Sequence, residues 1–203
     1  VRRITLPRRR VSPAEYRRAK AELKRLQATM GEEAAYRDFC AEVHRNEKIP
    51  GWPGPYDSKL HHFVLIQNNK AVVARYKDQK ARPGFGMELH TLRLGNVVWA
   101  TNPFELYLDF GHRIKARSAA DQTFVVQLCC GIGGYLPSAR AEQLGGYGGL
   151  VINGHVGSEG GKKLADITVN SVKAAFREPR RTLGEMAMAH ERSLNTSAGQ
   201  KKD

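Results

Sequence analysis

The stretch Gln127–Glu159, QLCCGIGGYLPSARAEQLGGYGGLVINGHVGSE, limits what this chain can fold into more than any other. With the two glycines that follow it, it holds eleven of the chain's twenty. Glycine at that density sets backbone shape rather than packing, because it enters conformations closed to other residues and lets backbones approach closely. Tyr135 and Tyr147 stand beside glycine doublets, twelve residues apart. Upstream lies a second compact signal, TNPFELYLDFG, which carries Glu105. Both stretches follow strand-like runs, VVWAT and TFVVQLCC. Ligands in layered α/β folds bind at the carboxyl ends of strands, so the two stretches read as one side of an active site. Glycines around Tyr135 would let backbone pass close to a ligand there.

The remaining sequence sets the frame. At 203 residues and 41% apolar content the chain can bury a sizeable core. No apolar run nears the roughly 20 residues of a membrane span. The opening VRRITLPRRR lacks the apolar segment of a secretory signal, so the expectation is a cytosolic protein or a start that is not the native N-terminus. Net charge is +13, and residues 1–25 concentrate it, with ten Lys/Arg against Glu15 and Glu22. Such a segment is a solvated face, a segment that pairs with a missing partner, or a basic arm for nucleic acid or an anionic membrane. Cys40, Cys129 and Cys130 offer no disulfide framework and no CxxC pair, and read as small buried hydrophobes.

Local patterns give the elements in order. Residues 3–7 form a short strand. Ser12, Pro13 and Glu15 then mark a helix start with a capping box, followed by Tyr16, Ala19, Leu23, Leu26 and Met30 at helical spacing. A second helix runs from about Glu32 to Arg45 after Gly31. Asn46–Ser58, with three prolines, is a rigid loop whose Trp52 and Tyr56 cap the core or line a cleft. Residues 60–76 read as strand, turn at Asn68-Asn69, strand, with His61 and His62 as structural or surface histidines. MELHTLRL and VVWAT are strands joined by a Gly95-Asn96 hairpin. After Asn102-Pro103 a helix is expected to open with Phe104, Tyr107, Leu108, Gly111 and Ile114 facing inward and Glu105 in its first turn. QTFVVQLCC reads as a central buried strand, Ser138–Leu144 as a short helix, LVIN as a strand, and residues 158–176 as a long amphipathic helix. Residues 179–203 read as a flexible polar tail with a weak helical patch at LGEMAMAHERSL. Strands alternating with helices predict an α/β class, a layered mixed sheet with flanking helices.

Several chemistries are excluded. GIGGYLPS follows a strand but is interrupted by Pro137 and lacks the GK[ST] of a phosphate loop. There is no GxSxG nucleophile elbow and no HExxH motif. Taken alone, Glu105 serves a helix dipole as well as it serves a ligand, and Tyr135 and Tyr147 fit a core as well as a site.

The ordered set of motifs resembles the later part of the neutral/alkaline non-lysosomal ceramidase family. Pro103–Glu105 matches a PGE-like segment at a strand end, and Tyr135–Pro137 matches a GY(I/V)xT segment. Tyr147 falls at the family's twelve-residue spacing, and Val156–Gly161 matches a VGPEAG-like turn before a helix. The resemblance covers about residues 85–176. It implies a zinc amidase that cleaves the N-acyl bond of ceramide-like lipids, secreted or periplasmic when intact. By the same resemblance Glu105 and Tyr135 are zinc ligands, and Tyr147 is a catalytic residue beside the scissile amide. Two histidine ligands come from the first half of that family's catalytic domain. The histidine-bearing motifs and the serine-bearing segment are absent from these residues, and Phe104 replaces the family's glycine. Residues 1–178 are therefore expected to be a partial catalytic domain, an incomplete half of a larger one, with a helical and loop lead-in at 1–58 and an α/β part at 59–178. Alone it is expected to be inactive, its partners being an N-acyl substrate and an N-terminal half.

Overall fold

The computed structural model describes residues 1–51 and 61–177, and the expectations for Trp52, Tyr56 and the tail lie outside them. The architecture is α/β, with small sheets laid against helices. Strand β1 (Arg2–Pro7) pairs antiparallel with β2 (Gly84–Leu89). At His90 the chain passes into β3 (Thr91–Leu94), which reverses at Gly95 (φ 61°) into β4 (Val97–Thr101). β4 lies antiparallel to β3 and parallel to β6 (Gln122–Val126), so this sheet is mixed, in the order β3-β4-β6. A second parallel pair, β5 (Phe104–Leu106) and β7 (Gly134–Leu136), takes up the chain just beyond β4 and β6.

Two helices cover one side of these strands. Helix α4 (Leu108–Ala116) buries Phe110 and Ile114, and α6 (Ser158–Arg177) buries Leu164, Ala165, Val169 and Val172 at helical spacing. Phe110, Ile114, Leu164 and Ala165 join Leu6, Leu89, Phe104, Leu106 and Leu136 in the main core. Each large side chain fully buried there is worth about 1.5–3 kcal/mol relative to exposure. Between β7 and α6 lie α5 (Ala139–Leu144) and two single 3-10 turns, Tyr147–Gly149 and Val151–Asn153.

A smaller helical cluster packs Leu26, Ala35 and Ile66 from α1 (Pro13–Thr29), α2 (Glu32–Asn46) and α3 (His62–Asp78). The α1 start is the reciprocal cap that its sequence predicts. The Glu15 N–H donates to Ser12 Oγ at 3.2 Å, and the Ser12 N–H donates to Glu15 Oε2 at 2.7 Å.

Five sequence expectations are corrected. Residues 62–78 are one helix, not a hairpin. Its inward stripe is broken by polar residues, which hides the helical period. His62 bonds to the Leu26 carbonyl at 3.0 Å, and Asn69 Nδ2 donates to the Leu65 carbonyl one turn back rather than making a turn. Glu105 lies in the middle of a strand, not in the first turn of a helix, because pairing with β7 draws residues 104–106 into extended backbone. β6 is an edge strand with Phe124 and Val126 exposed, not a central buried one. Residues 151–153 form a 3-10 turn rather than a strand. Finally, Cys130 is exposed and Cys129 half-buried, and their sulfurs touch at 3.5 Å because Cys130 takes a left-handed φ of 60° instead of strand geometry.

Candidate functional site

The parallel pair β5–β7 builds the candidate site. Its register sets Phe104 beside Gly134, Glu105 beside Tyr135 and Leu106 beside Leu136. Side chains alternate along a strand, so the buried Phe104, Leu106 and Leu136 pin one face to the core and turn Glu105 and Tyr135 out on the other. The neighbouring Glu105 carboxylate, as an acceptor facing the phenol, followed by desolvation and the negative charge of Glu105, holds Tyr135 above its ordinary range. The Tyr147 ring meets the Tyr135 ring edge-on, with centroids 5.6 Å apart at 81°. Three residues singled out from sequence thus converge on one surface, although Glu105 arrives by a strand rather than a helix.

Glycine makes this convergence possible by letting backbone meet backbone. Gly134 bridges Gly154 antiparallel, and the His155 N–H donates to the Gly133 carbonyl at 3.3 Å. A Cβ on Gly154 would overlap the Tyr135 carbonyl oxygen, and one on Gly134 (φ 69°) would overlap the Asn153 carbonyl oxygen. The glycines around Tyr135 therefore seat segment 147–156 against β7 instead of opening room for a ligand.

Three arginines hold that segment. Arg75 of α3 donates to the carbonyls of Val151, Gly154 and His155, the Gly154 bond being 3.2 Å. Burial first, then the positive charges of Arg8 and Arg9, lowers its pKa from the usual arginine value. Arg9 donates to the Gly149 carbonyl, and its own N–H donates to the His155 carbonyl at 3.0 Å. Arg8 Nη2 lies 2.8 Å from His155 Nδ1, and the His155 ring stacks on Phe85. Burial, with Arg8 and Arg75 nearby, holds the imidazole below its ordinary pKa. The sequence gives no sign of these roles for Arg75 and Arg9, because a side chain bonding to distant carbonyls leaves no local pattern. Tyr107 is more than the core residue its spacing suggests. It also underlies the site, since Gly148 lies so close that a Cβ there would collide with the Tyr107 hydroxyl.

Arg8 and Arg9 of the basic N-terminal segment are thus built into the fold. A cleft of about 860 Å³ is lined by Arg8, Arg9, Arg10 and Arg18. Glu142 and Glu15 line it as well. Glu142 pairs with Arg9 at 3.7 Å and accepts the Ser158 hydroxyl at 2.6 Å, so its carboxylate ties the first residues to the start of α6.

As to metal binding, Glu105 and Tyr135 stand side by side on β5 and β7, and a carboxylate and a phenol are oxygen donors that could form one wall of a zinc site. A catalytic zinc takes three protein ligands. Among the described residues no group of three or more His, Cys, Asp or Glu could supply the set. The pair fits as half a site. Compared with family models, with curated proteins and with solved structures, the chain matches none.

Proposed function

We propose that this chain supplies the glutamate–tyrosine wall of a zinc-dependent amidohydrolase of ceramidase-like type, acting on the N-acyl bond of ceramide-like substrates. The observation that supports it is the register of β5 and β7, which places Glu105 against Tyr135 with Tyr147 at its edge. When bound, zinc would acidify a water and polarise the amide carbonyl. In that arrangement Glu105 and Tyr135 would hold the ion. The exposed Tyr147 hydroxyl is free to donate a hydrogen bond to the oxygen on which negative charge develops. Two protein ligands do not make a catalytic zinc centre, and the chain alone is inactive on this reading.

The test is zinc content and N-acyl hydrolysis measured with and without a separately expressed histidine-bearing half of a ceramidase-family domain. Zinc retention and hydrolysis should need both polypeptides and should vanish with Glu105→Gln. Activity that persists in that variant would refute the assignment.

A second reading, binding of a polyanion such as nucleic acid, draws on Arg17, Lys20 and Lys24, which are exposed at i, i+3 and i+7 along one side of α1. It requires salt-sensitive binding that is lost when these three are neutralised.

A further inference from the structure

The mixed sheet has one face buried and one bare. Val98, Ala100 and Thr123 point inward, and the helices α4 and α6 lie against that side. Register places the remaining positions together on the other face: Leu92 beside Trp99 and Phe124, Leu94 beside Val97 and Gln122, and Thr101 beside Val126. None of these side chains is charged, in a chain where 26% of residues are. Leu92 is 65% exposed, Leu94 71% and Phe124 43%, with Trp99 stacked on Phe124. Parallel strands are ordinarily covered on both faces.

The bare face and the candidate site look the same way. The chain runs from β4 into β5 and from β6 into β7, and the buried faces of both strand pairs turn toward α4 and α6. Glu105 and Tyr135 therefore project on the side where Trp99 and Phe124 project. Segment 127–133 joins the two surfaces, and its Leu128 and Ile132 are exposed as well. Leu128 is held at a left-handed φ of 53°, and Ile132 is 87% exposed.

We infer that the outer face of β3-β4-β6 is the docking surface for the polypeptide layer that completes the Glu105–Tyr135 site. This rests on the proposed function for the identity of the occupant. Three strands about 4.8 Å apart and five residues long present roughly 200 Å², whereas a stable interface takes about 800 Å² from each partner. A covering layer must spread past the sheet, and on this side the surface continues across Leu128 and Ile132 to Glu105 and Tyr135. Charge argues against a second copy as the occupant. Two bodies of net charge +13 repel, and the face carries no group to offset that. The fitting partner is a polypeptide with an apolar inner layer, bringing imidazole donors to the edge nearest Tyr135.

The test uses the whole chain and, as probe, the separately expressed histidine-bearing half of a ceramidase-family catalytic domain. Binding is followed by calorimetric titration for the wild type and for Leu94→Lys with Phe124→Lys, with circular dichroism checking the fold of each. Leu94→Lys alone serves where the double variant fails to fold. The wild type should bind, and the lysine variants about tenfold or more weaker. No binding by the wild type, or undiminished binding by the lysine variants, overturns the inference. So does a concentration-dependent dimer in sedimentation that the same substitutions abolish, because the occupant would then be a second copy. A complex that forms normally but retains no zinc leaves the docking surface standing and removes the zinc reading.

Discussion

Substituting Gly154 by alanine tests whether glycine is required for close backbone approach or merely tolerated. The Gly154 φ of −155° is ordinary extended backbone, so alanine adds no torsional strain and its effect is purely steric. Its Cβ would overlap the Tyr135 carbonyl oxygen and stand 3.3 Å from the carbonyl carbon. Both atoms belong to the backbone of β7, which Phe104 and Leu136 anchor in the core, so neither can swing aside as a side chain would. Overpacking of this kind costs about 1–3 kcal/mol. In a domain of this size each kcal/mol shifts the midpoint by about 2–4 °C, so thermal unfolding should fall by roughly 2–12 °C. Gly111 provides the opposite case within the same chain. It lies inside α4 with nothing near the position of a Cβ, and alanine there should raise stability by about 0.5–1 kcal/mol. Calorimetry of the two variants against wild type decides the matter. If Gly154→Ala unfolds at the wild-type midpoint, the Gly134–Gly154 crossing is not what seats segment 147–156, and the reasoning fails.

Three further outcomes follow from the charged and reactive groups. His155 is uncharged in the fold because burial, Arg8 and Arg75 oppose its protonation, while in the unfolded chain it protonates near pH 6.5. Its contribution to stability is complete above about pH 6.5 and falls as pH drops toward its lowered native pKa. Denaturant unfolding of His155→Gln should be flatter than wild type over that window, and equal slopes would count against the buried neutral imidazole. Glu105→Gln should bring the Tyr135 titration, followed by phenolate absorbance against a Tyr135→Phe control, down toward the usual tyrosine value of about 10. An unmoved titration would show that Glu105 does not hold that proton. With sulfurs 3.5 Å apart and Cys130 exposed, Cys129 and Cys130 should capture one phenylarsine oxide as a soft dithiol. Either serine variant should lose that affinity, and retention by both would refute the pairing.

Elements with local signals are legible in the amino-acid sequence alone. The capping box at Ser12 and Glu15, the glycine turn at Gly95 and the apolar spacing of residues 158–176 each encode their element within a few residues. Helix α3 is not legible in this way. Val64, Ile66, Val72 and Val73 favour strands by their branching, and helical geometry wins because Ile66 packs into the α1–α2 cluster while Tyr76 stacks on Tyr16 at 4.3 Å. β6 misleads for the related reason that an apolar run tells of burial but not of which layer does the burying. Its exposed Phe124 is the misfit that points to the docking surface.

The sequence by itself determined the α/β class and the ends of its best-marked helices, and it singled out Glu105, Tyr135 and Tyr147 as candidates. The tertiary structure decided how those three meet. Glu105 and Tyr135 are thirty residues apart, and no local rule sets their register. It comes from Phe104, Leu106 and Leu136 sinking into one core, which forces the alternate side chains onto the opposite face, and from a glycine crossing that brings Tyr147 alongside. The same long-range packing makes Arg8 and Arg9 of the basic first residues part of the clamp that holds that crossing in place.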